Sequence, residues 1–205
     1  MRLLPPDASG PTAAERRLAW LLLVGGAIGL LAAAVLLVEK IALIEDPSYV
    51  PGCNINPVLS CGSIMKTDQA EAFGIPNPIV GIAGFATVVT VGAGILAGGR
   101  FHRWFWLGLQ AGTTFGVIFV HWMAFQSLYR IGALCPYCMV VWAVTIPIFW
   151  YVTLHNLQGV RLPSRLRGLV AVAAEYHSVV LTAWFLLIAF LIGKRFWDYW
   201  STLLP

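Results

Sequence analysis

Four cysteines carry the chemistry open to this chain, and they fall into two unequal pairs. Cys135 and Cys138 form a C-x-x-C, reading CPYC, where an apolar run begins. Cys53 and Cys61 lie in a polar stretch, CNINPVLSC, with seven residues between them. A close dithiol in C-x-x-C spacing suits thiol–disulfide exchange, and a second, looser pair can pass electrons to it or from it. Pro136 suits the first position of a helix, where its missing N–H would have had no partner. Cys135 then falls at the N-cap, beside free amides and the positive end of the helix dipole, and both favour a thiolate. Cys138 lies one turn deeper, within reach of a lipid-soluble reactant. Two plainer uses stay open at this stage. One is a pair of structural disulfides. The other is a four-cysteine zinc site, for which the seven-residue spacing and the lack of a neighbouring histidine are unusual.

The elements that must position these thiols belong to a membrane. Hydrophobic residues make up 59% of the 205-residue chain and charged residues 11%, against about 25% charged in soluble domains. A spanning helix needs roughly 20 mostly apolar residues. Five stretches qualify: Leu18–Val38, Pro78–Gly98, Trp104–Leu128, Pro136–Leu154 and Val179–Ile192 extended to Trp197. No internal repeat and no soluble domain stand out. The expected fold is an all-α integral membrane protein, a single domain over residues 18–200 behind a flexible tail over residues 1–17.

Basic residues set the expected orientation. Arg2, Arg16 and Arg17 precede the first stretch, Arg100 and Arg103 separate the second and third, and Arg161, Arg165 and Arg167 separate the fourth and fifth. These segments share one side, which the positive-inside rule makes cytoplasmic. Arg16–Arg17 before an apolar run could open an export signal. The run is too long for one and has no clear cleavage site, so a retained first helix is expected. The net charge of +4 then reflects topology and needs no nucleic acid partner. Both cysteine pairs face the opposite, oxidising side, where disulfides persist.

The outer loop, residues 44–77, is broken by Pro47, Pro51, Gly52, Pro57, Gly62, Gly74 and Pro76, so most of it should be irregular. Residues 67–71 read as the start of a short helix, with Asp68 and Glu71 as cap candidates and Gly74 as its end. A loop disulfide on such a scaffold could swing between an external partner and Cys135.

At CNINPVLSCGSIM, NPIVG and CPYC, in that order, the chain resembles the vitamin K epoxide reductase family, and its bacterial branch in particular. The resemblance covers residues 18–151. It implies a four-helix transmembrane bundle around a quinone, with a fifth helix as in many bacterial members. It implies an enzyme in the bacterial cell membrane that oxidises a thioredoxin-like partner, reduces a menaquinone- or ubiquinone-type quinone and drives disulfide formation in exported proteins. Animal relatives reduce vitamin K epoxide.

By motif position, Cys135 and Cys138 become the active-site pair, and Cys53 and Cys61 the shuttle pair. Thr67 stands where the family has a Ser or Thr near the dithiol, and Asn77 where it has an amide donor to a quinone oxygen. Met65, Val80, Met123 and Trp142 would line the pocket, and Trp142 shares a helical face with Cys138 at i, i+4. Animal members have a Tyr in place of Trp142, so the resemblance implies simple quinone reduction. Many bacterial relatives carry a fused thioredoxin-like domain. The chain ends at Pro205, so the partner is expected as a separate protein, and no metal is expected.

Other residues stand out by type and position. His121, inside the third stretch, is a candidate proton relay or a hydrogen-bond partner for a neighbouring helix. Gly108, Gly112 and Gly116, like Gly25–Gly29 and Gly94–Gly98, have the spacing of close helix packing. Trp20, Trp104, Trp106, Trp197 and Trp200 read as interfacial belts, and Pro147 as a kink. A second family of quinone-linked disulfide oxidases places its C-x-x-C first and its spaced pair second, the reverse of this order. A non-enzymatic membrane protein with two structural disulfides is the alternative from another class.

Overall fold

The computed structural model describes residues 10–158, 160 and 163–202, apart from the side chains of residues 164 and 165. Most of the expected tail, together with Arg2 and Arg161, lies outside them. Helix α1, Ala13–Glu45, is longer at both ends than the expected stretch. A capping box starts it: Thr12 Oγ1 accepts from the Glu15 amide at 3.2 Å, and the Glu15 carboxylate accepts from the Thr12 amide at 2.8 Å. These reciprocal bonds satisfy two of the amides that a helix start leaves without partners. The outer loop holds two short helices, α2 at Cys61–Met65 and a 3₁₀ turn at Asp68–Glu71.

Helices α3, Asn77–Leu96, and α4, Arg103–Phe125, follow. The end of α4 widens into a π-helical turn, Gln126–Ile131, which Gly132 closes with φ +75°. Helix α5, Pro136–Gln158, has Pro147 inside it. Helix α6, Ser164–Glu175, was not anticipated, and it leads into α7, His177–Arg195, and the short α8, Trp197–Ser201.

Among the described residues, α1, α3, α5 and α7 are long and apolar enough to cross a membrane. Helix α4 has 23 residues, a rise of roughly 35 Å. Its Gln110, Thr113, Thr114 and His121 make it the least apolar of the five expected spans. Inside the bundle those groups find partners: Gln110 Nε2 donates to Thr153 Oγ1 at 2.9 Å, and Asn156 Nδ2 donates to Gln110 Oε1 at 3.2 Å. Gln110 thus faces α5.

Helix α1 packs on α3 and α5, and α4 packs on α5. The α1–α3 approach depends on absent side chains. A Cβ at Gly29 would lie 2.4 Å from the Phe85 ring, and one at Gly92 would lie 2.6 Å from the Leu23 backbone nitrogen. Leu22, Val91, Ile148 and Val152 fill this end of the core. The stripe on α4 behaves differently from expectation. A Cβ at Gly108 or Gly112 would meet nothing within 4 Å, and one at Gly116 would make an ordinary contact with Thr145. Helices α3 and α4 hardly touch, so these glycines widen a cavity instead of closing a seam.

Candidate active site

Loop, helix start and cavity meet at one end of the bundle. Asparagines shape the loop. Asn56 Oδ1 accepts from the Val58 and Leu59 amides at 2.9 and 2.7 Å, and Asn54 Oδ1 accepts from the Gly62 amide at 2.9 Å. Such short-range bonds substitute for backbone pairing in irregular chain. A parallel bridge then joins Leu59 to Leu134. The Leu134 amide donates to Val58 O at 2.7 Å, and the Ser60 amide donates to Leu134 O at 2.8 Å. Two residues from the loop disulfide are thereby pinned beside the residue preceding CPYC.

Cys53 and Cys61 form a disulfide, and Cys135 and Cys138 are free thiols. That bond takes up two of the four thiolates a zinc site would need. Cys135 Sγ lies 3.2 Å from Cys61 Sγ. Cys61 and Cys135 are buried almost completely, and Cys53 retains 5% exposure. The sulfur of Cys61, not that of Cys53, therefore faces the C-x-x-C.

Pro136 opens α5, as its chemistry requires, and Cys135 precedes it. The Cys138 amide donates to Cys135 Sγ at 3.3 Å. The Cys135 thiol is held below its ordinary pKa, first by a hydrogen bond from the Cys138 thiol and then by the amides of Cys138 and Tyr137; burial works against them. A thiol flanked by donors at a helix start ionises more readily than an ordinary one.

A cavity of about 670 Å³ adjoins the dithiol and runs between α3 and α4 as far as Trp104. That volume is in the range of small-molecule sites. Met65, Asn77, Val80, Met123, Cys138 and Trp142 are on its wall. Asn77 Nδ2 donates to Gln69 O at 2.7 Å, and its other near neighbour is Met123 Sδ at 3.6 Å. A thioether is a weak acceptor, so one N–H of Asn77 is available to a stronger one. Thr67 differs from expectation. It is off the cavity wall, and its hydroxyl donates to Ile64 O at 2.7 Å, closing the end of α2. Asp68 and Glu71 do not cap the 3₁₀ turn, which has no side-chain cap.

Glu71 instead meets Lys40, a residue that sequence reasoning passed over. Lys40 is 8% exposed on the cavity wall. Its Nζ donates to Met65 O at 2.7 Å and pairs with Glu71 at 2.8 Å. A lysine beside Glu39 just past the long apolar run of α1 was the available signal, because buried charge demands partners. His121 resolves between its two readings. Trp184 Nε1 donates to its Nε2 at 2.9 Å, and its Nδ1 lies 2.7 Å from Val117 O, so the ring joins α4 to α7 and is not on the main cavity wall.

The arrangement is a buried dithiol–disulfide contact beside an apolar chamber, and sequence comparison agrees with it. No curated protein matches the chain. The model of the vitamin K epoxide reductase family matches residues 20–153, which contain both cysteine pairs and most of the helices around them. With that match over more than half its length, the chain is a multi-pass membrane thiol oxidoreductase belonging to the vitamin K epoxide reductase family.

Proposed function

We propose that this protein oxidises a thioredoxin-like partner and reduces a membrane quinone, with Cys53–Cys61 as shuttle pair and Cys135–Cys138 as active-site pair. The observation that carries the reading is the 3.2 Å approach of Cys61 Sγ to Cys135 Sγ, at the head of a cavity that Cys138 lines. A thiolate of the reduced partner attacks Cys53 and releases Cys61 as thiolate; the partner's second thiol then frees Cys53 and leaves the partner oxidised. Cys61 attacks Cys135 of the oxidised C-x-x-C and expels Cys138. Cys53 closes on Cys61, releasing Cys135, and a dithiol is left beside the cavity. The oxidised loop with free Cys135 and Cys138 is the product of that transfer.

A quinone in the cavity supplies the acceptor for the two electrons and two protons released when Cys135 and Cys138 re-form their disulfide. The walls suit such a molecule: they are mostly apolar, with Asn77 and Lys40 among the few polar side chains on them. Asn77 would hold its oxygen through the N–H that now faces Met123, and Met65, Val80, Met123 and Trp142 would confine its ring. The reading places the chain in the bacterial cell membrane, N-terminus cytoplasmic, with the cysteines on the extracytoplasmic side, where the oxidised partner introduces disulfides into exported proteins. The basic segments support that orientation.

Anaerobic quinone reduction by the purified protein with a reduced thioredoxin-like substrate tests the reading. Wild type is expected to form quinol, and Cys138→Ala to form none. A folded wild type that reduces no quinone, with menaquinone and ubiquinone analogues each supplied, would sink the proposal in favour of structural disulfides.

A further inference from the structure

Helix α7 lies beyond the residues matched to the family. No residue of α7 itself is buried. Three of its side chains reach the bundle by hydrogen bonds: His177 to Tyr151, Trp184 to His121, and Arg195 at its last turn. Arg195 Nε donates to Leu128 O at 2.7 Å, across 67 residues of sequence. Leu128 belongs to the π-helical turn, a widening that is rare in helices and often sits at functional sites. In the same turn Ser127 O accepts from the Gly132 and Ala133 amides at 2.9 and 3.2 Å. Phe196, the next residue after Arg195, is 6% exposed and packs in one cluster with Val58, Leu128, Leu134 and Trp142. The guanidinium sits 5.6 Å from the Phe196 ring centre.

Arg195 and Phe196 thus bear on both sides of one joint. The π turn and Gly132 set where Leu134 lies, the Leu134 bridge holds the loop, and the two together set the Cys61–Cys135 separation. We propose that Arg195, backed by Phe196, is a positioning residue for electron transfer between the pairs. It clamps the π turn so that Cys135 meets Cys61. The clamp rests on the shuttle reading above, and its test separates the two.

In full-length protein carrying Cys53→Ala and Cys138→Ala, Cys61 and Cys135 are left as the two thiols. Diamide takes up their two electrons and two protons as they join, and maleimide quenching at intervals measures the rate. The parent is expected to join them rapidly; failure of a folded parent to do so overturns the shuttle reading itself. Adding Arg195→Ala should slow joining at least tenfold. Arg195→Lys, which keeps a cationic donor, should recover most of the rate, and Trp184→Phe should leave it unchanged. An Arg195→Ala rate equal to the parent's overturns the clamp while the shuttle stands. So does an equal slowing by Trp184→Phe, because docking of α7 as a whole would then be the cause. Should Arg195→Ala lose its cooperative thermal transition, Phe196→Leu takes its place, and an unchanged rate there overturns the clamp.

Discussion

At Cys135, acidity and position favour the same role. Its pKa is lowered, chiefly by the Cys138 thiol hydrogen bond, so its thiolate is present above that lowered value and is lost as pH falls through it. In protein carrying Cys53→Ala and Cys61→Ala, iodoacetamide should modify Cys135 ahead of Cys138, with a pH midpoint below the ordinary thiol value of about 8.5. The midpoint should rise in Cys138→Ala. Equal rates for the two thiols, or a midpoint that ignores Cys138, would remove Cys135 as the more acidic, exchange-facing thiol. Replacing Cys53 or Cys61 by Ala should abolish turnover with a protein substrate and spare turnover with a small dithiol that reaches Cys135 directly. Equal loss of both would speak against the relay. The spacing of CPYC and the helix start at Pro136 were legible in sequence because both are local. The facing of Cys61 toward Cys135 was not, since 74 residues separate them.

The helices differ in what their glycines do, and spacing alone does not separate the cases. Gly29→Ala would drive a methyl into the Phe85 ring, and overpacking of that kind costs about 1–3 kcal/mol. Gly112→Ala meets open cavity and should gain up to about 1 kcal/mol from helix propensity. Thermal unfolding in detergent should show opposite shifts; a fall for both would mean that α4 is packed as tightly as α1. The loop helices hang on Lys40. Lys40→Met leaves Met65 O without that donor, a loss of about 1–3 kcal/mol, and should speed hydrogen exchange over residues 61–71. Glu71→Gln removes a partner that is 41% exposed and should cost under about 1 kcal/mol. If exchange quickens equally in both, the ion pair and not the Met65 bond holds the loop.

For the whole molecule, long-range order was the least readable property. Five apolar stretches and four cysteines are written plainly, because bilayer thickness and thiol chemistry act residue by residue or over about 20 residues. The same reasoning missed α6, whose residues 164–175 mix arginines with valines and leucines. It also extended packing to Gly108 and Gly112, where neighbouring helices stand apart. Thr67 was placed by motif position alone; its hydroxyl bonds locally, to the Ile64 carbonyl three residues back.

By itself the sequence determined that this is a helical membrane protein with one close and one spaced cysteine pair. Hydropathy, helix capping and C-x-x-C spacing depend on neighbours in the chain. Only the tertiary structure decided that Cys61 is the sulfur facing Cys135, that Lys40 holds the loop over the cavity, and that α7 reaches back to the π turn. Each of those depends on contacts between residues dozens of positions apart, whose distance is set by the packing of whole helices.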